Sequence, residues 1–237
     1  MLAGMGQAKR RKEQFRKAPQ TCVLCGERPA TTMDHVPPKA LFLQPRPKLI
    51  TVPACEICNR GASEAEAKFM VYMSVKRGND TSSSIEFWKN AGFKTVKKNN
   101  KLLRELTSGA PLYIRSPSTG QFELTRTFQW PREAHDPVIE NITRGLYYHH
   151  FGSLLPASTT EIEVSFLDKL HDPIRDFAMG QHLVRRSLGR DDIFCYAYGR
   201  AEEAPECSCW IYQFYLRHWA GAITKPEGHD FDQNEAP

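Results

Sequence analysis

Residues 22–59 read CVLCGERPATTMDHVPPKALFLQPRPKLITVPACEICN, and this stretch decides the fold. Two CxxC pairs, Cys22/Cys25 and Cys55/Cys58, bracket the dipeptide Asp34-His35, and the second pair runs directly into Asn59. A gap of two residues lets both sulfurs of a pair turn toward one ion, and two such pairs satisfy the tetrahedral preference of a closed structural zinc site. A site of four thiolates leaves no coordination position open. Any chemistry must therefore lie beside the zinc, in the polar residues it positions: Asp34, His35 and Asn59.

In this arrangement the chain resembles the HNH (ββα-metal) endonucleases, in the variant with an added four-cysteine zinc and Asn as the last motif residue. The phage junction-resolving endonuclease VII type looks closest. Cys22, Cys25, Asp34, His35, Cys55, Cys58 and Asn59 carry the likeness, which covers residues 20 to 78. It implies that His35 polarises a water for in-line attack on a phosphodiester, since imidazole titrates close to neutral pH. It also implies that Asp34 and the Asn59 carbonyl hold one catalytic divalent ion, Mg²⁺ or Mn²⁺, which neutralises charge on the phosphoryl group and the leaving oxygen. The implied fold is a zinc-stapled ββα-metal (treble-clef) module.

Family members often carry an Asn on the second strand and a Lys shortly after the last ligand. Here Lys48 to Pro53 contain no Asn, and Asn59 is followed by Arg60, the candidate phosphate contact. Neighbours on an extended strand point to opposite sides, so a bend is expected at Asp34-His35, with stiff backbone from Pro37 and Pro38. Leu49 to Val52 reads as a short strand. A capping box, Ser63 with Glu66, is expected to open the following helix, which runs to about Lys76.

The net charge of +5 is concentrated in residues 1–20, which hold Lys9, Arg10, Arg11, Lys12, Arg16 and Lys17 against Glu13; the other 217 residues balance 26 basic against 26 acidic groups. A basic arm beside Cys22 suits phosphate contacts without sequence preference, and the rival reading is a solvated terminus. Lys94 to Lys101 reads as an extension of that track or as a solvated face. Seven cysteines, of which Cys195, Cys207 and Cys209 lie outside the motif, and the lack of a long apolar run lead to the expectation of a cytoplasmic protein with no membrane contact.

The remainder reads as a larger α+β domain with antiparallel strands, making the whole chain α+β. The organisation expected is a basic flexible arm over 1–18, the zinc module over 19–80, the α+β domain over 81–224 and a disordered tail over 225–237. Leu112 to Ile114 turns through Ser118-Thr119-Gly120 into Phe122, Leu124, Phe128 and Trp130, whose alternation predicts a half-buried strand. Asp136-Pro137 is expected to open a helix closing at Gly152, with His149 and His150 as cations at its C-terminus. Asp172-Pro173 reads as another helix start. Ile193 to Tyr198 and Trp210 to Leu216 read as an antiparallel pair, their aromatics as sheet core. This domain is the expected route to a homodimer or a regulatory partner.

The reading is a metal-dependent HNH endonuclease acting on DNA, with RNA as a variant substrate, in phage or mobile-element processing or defence. The alternative is a non-catalytic treble-clef zinc module binding nucleic acid or protein.

Overall fold

The structure is a computed structural model that describes residues 18, 20–75, 81–115, 119–156, 158–167 and 183–228, excepting the side chains of 62 and 63. The basic arm at Lys9–Lys17, the helix end at 76–80, the start at Asp172 and the tail beyond 228 lie outside these residues. No helix among the described residues is long and apolar enough to cross a membrane.

The fold is a mixture of helices and antiparallel sheets. Strands β1 (Thr32–Val36) and β2 (Ile50–Ala54) form a two-stranded antiparallel ladder in unbroken register from Thr32↔Ala54 to Val36↔Ile50. Helix α1 (Glu56–Val75) follows at once. It begins seven residues before Ser63, so the capping box expected there falls inside the helix. Cys55 takes the capping part: its sulfur accepts the Cys58 amide at 3.4 Å, satisfying one of the helix's orphan donors.

Three short helices follow, α2 (Ser82–Phe87), then after a π turn α3 (Phe93–Lys98), and α4 (Asn100–Thr107); the Thr81 side chain caps α2 and the Asn99 side chain caps α4. Strands β3 (Pro111–Arg115) and β4 (Phe122–Arg126) form a separate hairpin. The strand expected through Phe122, Leu124, Phe128 and Trp130 ends at Arg126 and is not half-buried: Phe122 is 73% exposed and Leu124 61%, while Phe128 and Trp130, beyond its end, pack partly buried against the second cluster.

Helix α5 (Arg132–Phe151) starts four residues before Asp136 and contains Pro137. Burial of Ala134 and His135 explains the earlier start, because packing of this first turn outweighs the boundary signal of Asp136-Pro137. Gly152 ends the helix at φ 68, a left-handed position suited to glycine. The main sheet has the order β5-β9-β8-β7-β6 and is antiparallel throughout. Its strands are β5 (Thr160–Phe166), β6 (Val184–Ser187), β7 (Phe194–Arg200), β8 (Ser208–Phe214) and β9 (His218–Pro226). Strand β9 runs two residues into the stretch read as tail. Tyr196, Tyr198, Trp210, Tyr212, Phe214 and Tyr215 are all buried, as the reading of these aromatics as core required.

One hydrophobic core joins both parts of the chain: Cys22, Leu41, Phe42 and Val52 share it with Phe194, Tyr212 and Phe214. The segment following Asp34-His35 is gripped at three points. The Tyr215 hydroxyl donates to the Leu41 carbonyl at 2.8 Å, from a turn in which Tyr215 and Leu216 both have positive φ. Gly189 approaches Pro47 and Phe42, and Gly145 of α5 lies against Val36 at the end of β1. A Cβ on Gly145 would come within 2.4 Å of Val36 Cγ2. Alanine in place of a helical glycine gains up to about 1 kcal/mol of propensity, whereas overpacking costs about 1–3 kcal/mol. Gly145→Ala is therefore expected to lower the melting temperature by a few degrees; an unchanged or raised melting temperature would show that α5 moves away from β1 at no cost.

Candidate metal centre

The first cysteine pair sits in a tight loop. Cys22 donates its amide to the Arg28 carbonyl at 2.8 Å, and Gly26, at φ 68, donates to the Cys22 carbonyl at 2.8 Å. Val23 then donates to Pro53 of β2 at 2.9 Å, which ties this loop to the end of the ladder. There the second pair begins, with Cys55 at the helix cap and Cys58 one turn on. The four sulfurs lie within 4.8 Å of one another, and Cys22 and Cys55 are buried. Four thiolates at ~2.3 Å from one zinc would be about 3.8 Å apart, so the cluster fits a tetrahedral Zn(Cys)₄ site with little adjustment.

Arg28 was not singled out from the sequence. Its Nε donates to Cys55 Sγ and its Nη2 to Cys58 Sγ, both at 3.2 Å. Burial pushes the Cys55 thiol up, but the Arg28 guanidinium and the Cys58 amide outweigh it and hold it down to about 6. Burial pushes Cys58 up to about 12, and Cys22 is raised for the same reason. Arg144 of α5 also feels the thiolates, through Cys25, and anchors itself by donating to the Leu155 carbonyl at 2.8 Å. The Arg28 guanidinium thus stands against a cluster that would carry a net charge of −2 with zinc bound, a surrounding group of the kind that tunes metal sites, while Arg144, whose charge is met first by that of Glu140, adds a weaker positive field.

Asn59, in the first turn of α1, reaches across to β1. Its Nδ2 donates to Thr32 Oγ1 at 3.2 Å and to the Met33 carbonyl at 3.3 Å. The amide nitrogen is thereby committed to the strand, which fixes the orientation of the side-chain carbonyl. Asp34 shares the Thr32 face of β1, and its Oδ1 accepts the His35 amide at 2.7 Å. Burial raises the Asp34 carboxyl above its ordinary range, with the charge of Lys39 opposing.

Glu66 stands two helical turns beyond Asn59 on the same side of α1. Burial and then the Asp34 charge push its carboxyl up to about 7, again against Lys39. Its role is therefore set by its burial beside Asp34. Lys39, from the 3₁₀ turn after β1, is the cation whose field reaches both carboxylates. Arg60 instead pairs with Glu56 at 2.6 Å on the exposed side of α1.

His35 is adjacent to Asp34 but alternates with it along the pleat, and the ladder continues through Val36↔Ile50. The bend expected at Asp34-His35 is absent from the strand. Near the end of α5, His150 is not a helix-end cation. Burial, His149 and Arg186 press it down to about 4, and its two ring nitrogens pair with the hydroxyls of Tyr196 and Tyr198 at 2.9 and 3.0 Å.

No known protein-family model, curated protein or solved structure matches this chain. The likeness to HNH endonucleases therefore rests on the motif residues and their spacing.

Proposed function

We propose that this protein is a metal-dependent HNH-type endonuclease that hydrolyses nucleic-acid phosphodiesters, with DNA the first substrate to test. The observation that carries the reading is the strand–strand–helix unit beside the thiolate cluster. It ties the Asn59 amide to β1 one residue before Asp34, while the Asp34 charge reaches Glu66. Three oxygen donors, two of them half-buried carboxylates, suit a hard divalent cation. Asp34 and Asn59 would hold it, with Glu66 as a further donor.

When bound, such an ion supplies charge neutralisation at the phosphoryl oxygens. The chain's own residues do the rest. His35, outside the thiolate shell, accepts the proton of the attacking water. Lys39 offers a cation beside the carboxylates for a phosphate oxygen, the place that Arg60 would otherwise fill. The cysteines and Arg28 keep β1 and the start of α1 in register.

A second reading, a non-catalytic treble-clef module that binds nucleic acid or protein, draws support from the unbroken β1 ladder. That ladder leaves His35 and Asp34 alternating across the pleat. Nicking of supercoiled plasmid with Mg²⁺ or Mn²⁺ separates the two readings. The nuclease reading expects nicks that appear with either ion and vanish with excess chelator. If the zinc-loaded protein cuts neither plasmid, branched nor single-stranded substrate with several divalent ions, the binding module replaces it. Cleavage of RNA alone would keep the chemistry and change the substrate.

A further inference from the structure

Among the described residues, the β3–β4 hairpin stands outside both hydrophobic clusters and is not paired with any other sheet. Its register, Tyr113↔Leu124 and Arg115↔Phe122, places these four side chains on one face, with Arg126 beyond Leu124. Tyr113 is 69% exposed, Phe122 73% and Leu124 61%. Two aromatic rings and a leucine side by side form a contiguous apolar surface that the described residues leave exposed, and such surfaces mark interaction sites. The two arginines frame it: Arg115 is anchored by its Nε to the Gly120 carbonyl at 3.0 Å, and Arg126 by its Nη1 to the Gly109 carbonyl at 3.2 Å.

The charge of the surrounding segment selects the partner. Residues 81–131 contain eight Lys and Arg against three Glu, a net +5, whereas residues 132–237 contain ten against seventeen acidic residues, a net −7. The apparent neutrality beyond the amino-terminal arm is thus an average over two strongly opposed parts. A polyanion is drawn to the hairpin side and repelled by residues 132–237. Self-pairing of the same face would set +5 against +5 and bring arginines toward arginines.

We propose that this hairpin face is a nucleic-acid-binding platform, in which unpaired bases stack on Tyr113 and Phe122 while Arg115 and Arg126 hold the flanking phosphates. Aromatic faces with interleaved cations take single strands without regard to sequence, because every base presents a π face. Diagonal neighbours on a ribbon are about 7–8 Å apart, so each ring accepts its own base. The platform deepens the nuclease reading, on which it rests only for the class of ligand, and gives it a preference for unpaired over fully duplex substrate.

The test is fluorescence anisotropy on the full chain carrying His35→Ala, with a labelled oligothymidylate and a duplex of equal length. Tyr113→Ala with Phe122→Ala is expected to weaken oligothymidylate binding by roughly five- to a hundredfold per lost stack, and duplex binding far less. Tyr113→Phe, which keeps the ring, should bind like the parent. Arg115→Gln with Arg126→Gln should flatten the salt dependence by about 1.4 in slope, the value for two phosphate contacts on a single strand. Both pairs are exposed, and unchanged zinc content and circular dichroism verify the fold. Unchanged oligothymidylate affinity in the Tyr113→Ala, Phe122→Ala protein overturns the proposal. So does a fall in sedimentation mass for that variant, which would assign the face to a second copy. Protein with His35 intact that binds but never cuts sinks only the nuclease reading, and such protein that cuts with both rings dispensable for binding sinks only the platform.

Discussion

Replacing Cys55 with serine should release the zinc and unfold much of the chain. Structural zinc in small zinc-finger peptides contributes about 10–16 kcal/mol at neutral pH, which equals or exceeds the whole stability of an ordinary domain, about 5–15 kcal/mol. Cys55 is also the cap of α1 and, with Cys22, part of the core shared with the main sheet. Even a loss of about 5 kcal/mol would lower the melting temperature of a chain this size by roughly 10–20 °C. Metal analysis should find about one zinc per native chain, as expected of a four-thiolate site, and almost none in Cys55→Ser. Cys209→Ser, at an exposed cysteine outside the cluster, is the control and should change neither quantity. Arg28→Gln should keep the zinc but surrender it faster to a chelator, because both N–H···S contacts are lost. A Cys55→Ser protein with native zinc content and melting temperature would remove the metal centre from this account.

The second large effect is kinetic. A positioned general base contributes about 10²–10⁴ in rate, so His35→Ala should lose that much cleavage while retaining zinc and nucleic-acid binding. Asp34→Ala and Asn59→Ala should fail for a different reason, a weakened hold on the divalent ion. Raising Mg²⁺ or Mn²⁺ should restore them in part and leave His35→Ala unchanged. The double variant Asp34→Ala with His35→Ala should be little worse than the poorer single variant, since groups acting as one unit are strongly non-additive. Cleavage by His35→Ala at the native rate would show that water is activated elsewhere.

The four cysteines could be read in advance because metal-ligand spacing is local: a two-residue gap constrains both sulfurs whatever surrounds them. The pairing of β7 with β8 was equally legible, since buried alternation over several residues survives most tertiary contexts. Boundaries were not. The start of α1 was misplaced because its cap is a cysteine sulfur, a role that no Ser-x-x-Glu pattern announces. The start of α5 was misplaced because burial of Ala134 and His135 overrides a proline signal.

By itself, the sequence determined which side chains share a pair, a face or a turn: the thiolate pairs, the Asp34-His35 dipeptide and the alternating residues of β4. Only the tertiary structure decided what lies against those faces. It set Arg28 on the thiolates, brought Glu66 and Lys39 to Asp34, made His150 a half-buried partner of two tyrosines, and left Phe122 and Leu124 in water. The physical reason is that periodicity follows from backbone geometry over a few residues. Burial, charge proximity and hydrogen-bond partners, by contrast, depend on segments tens of residues away, whose approach is settled by packing of the whole core.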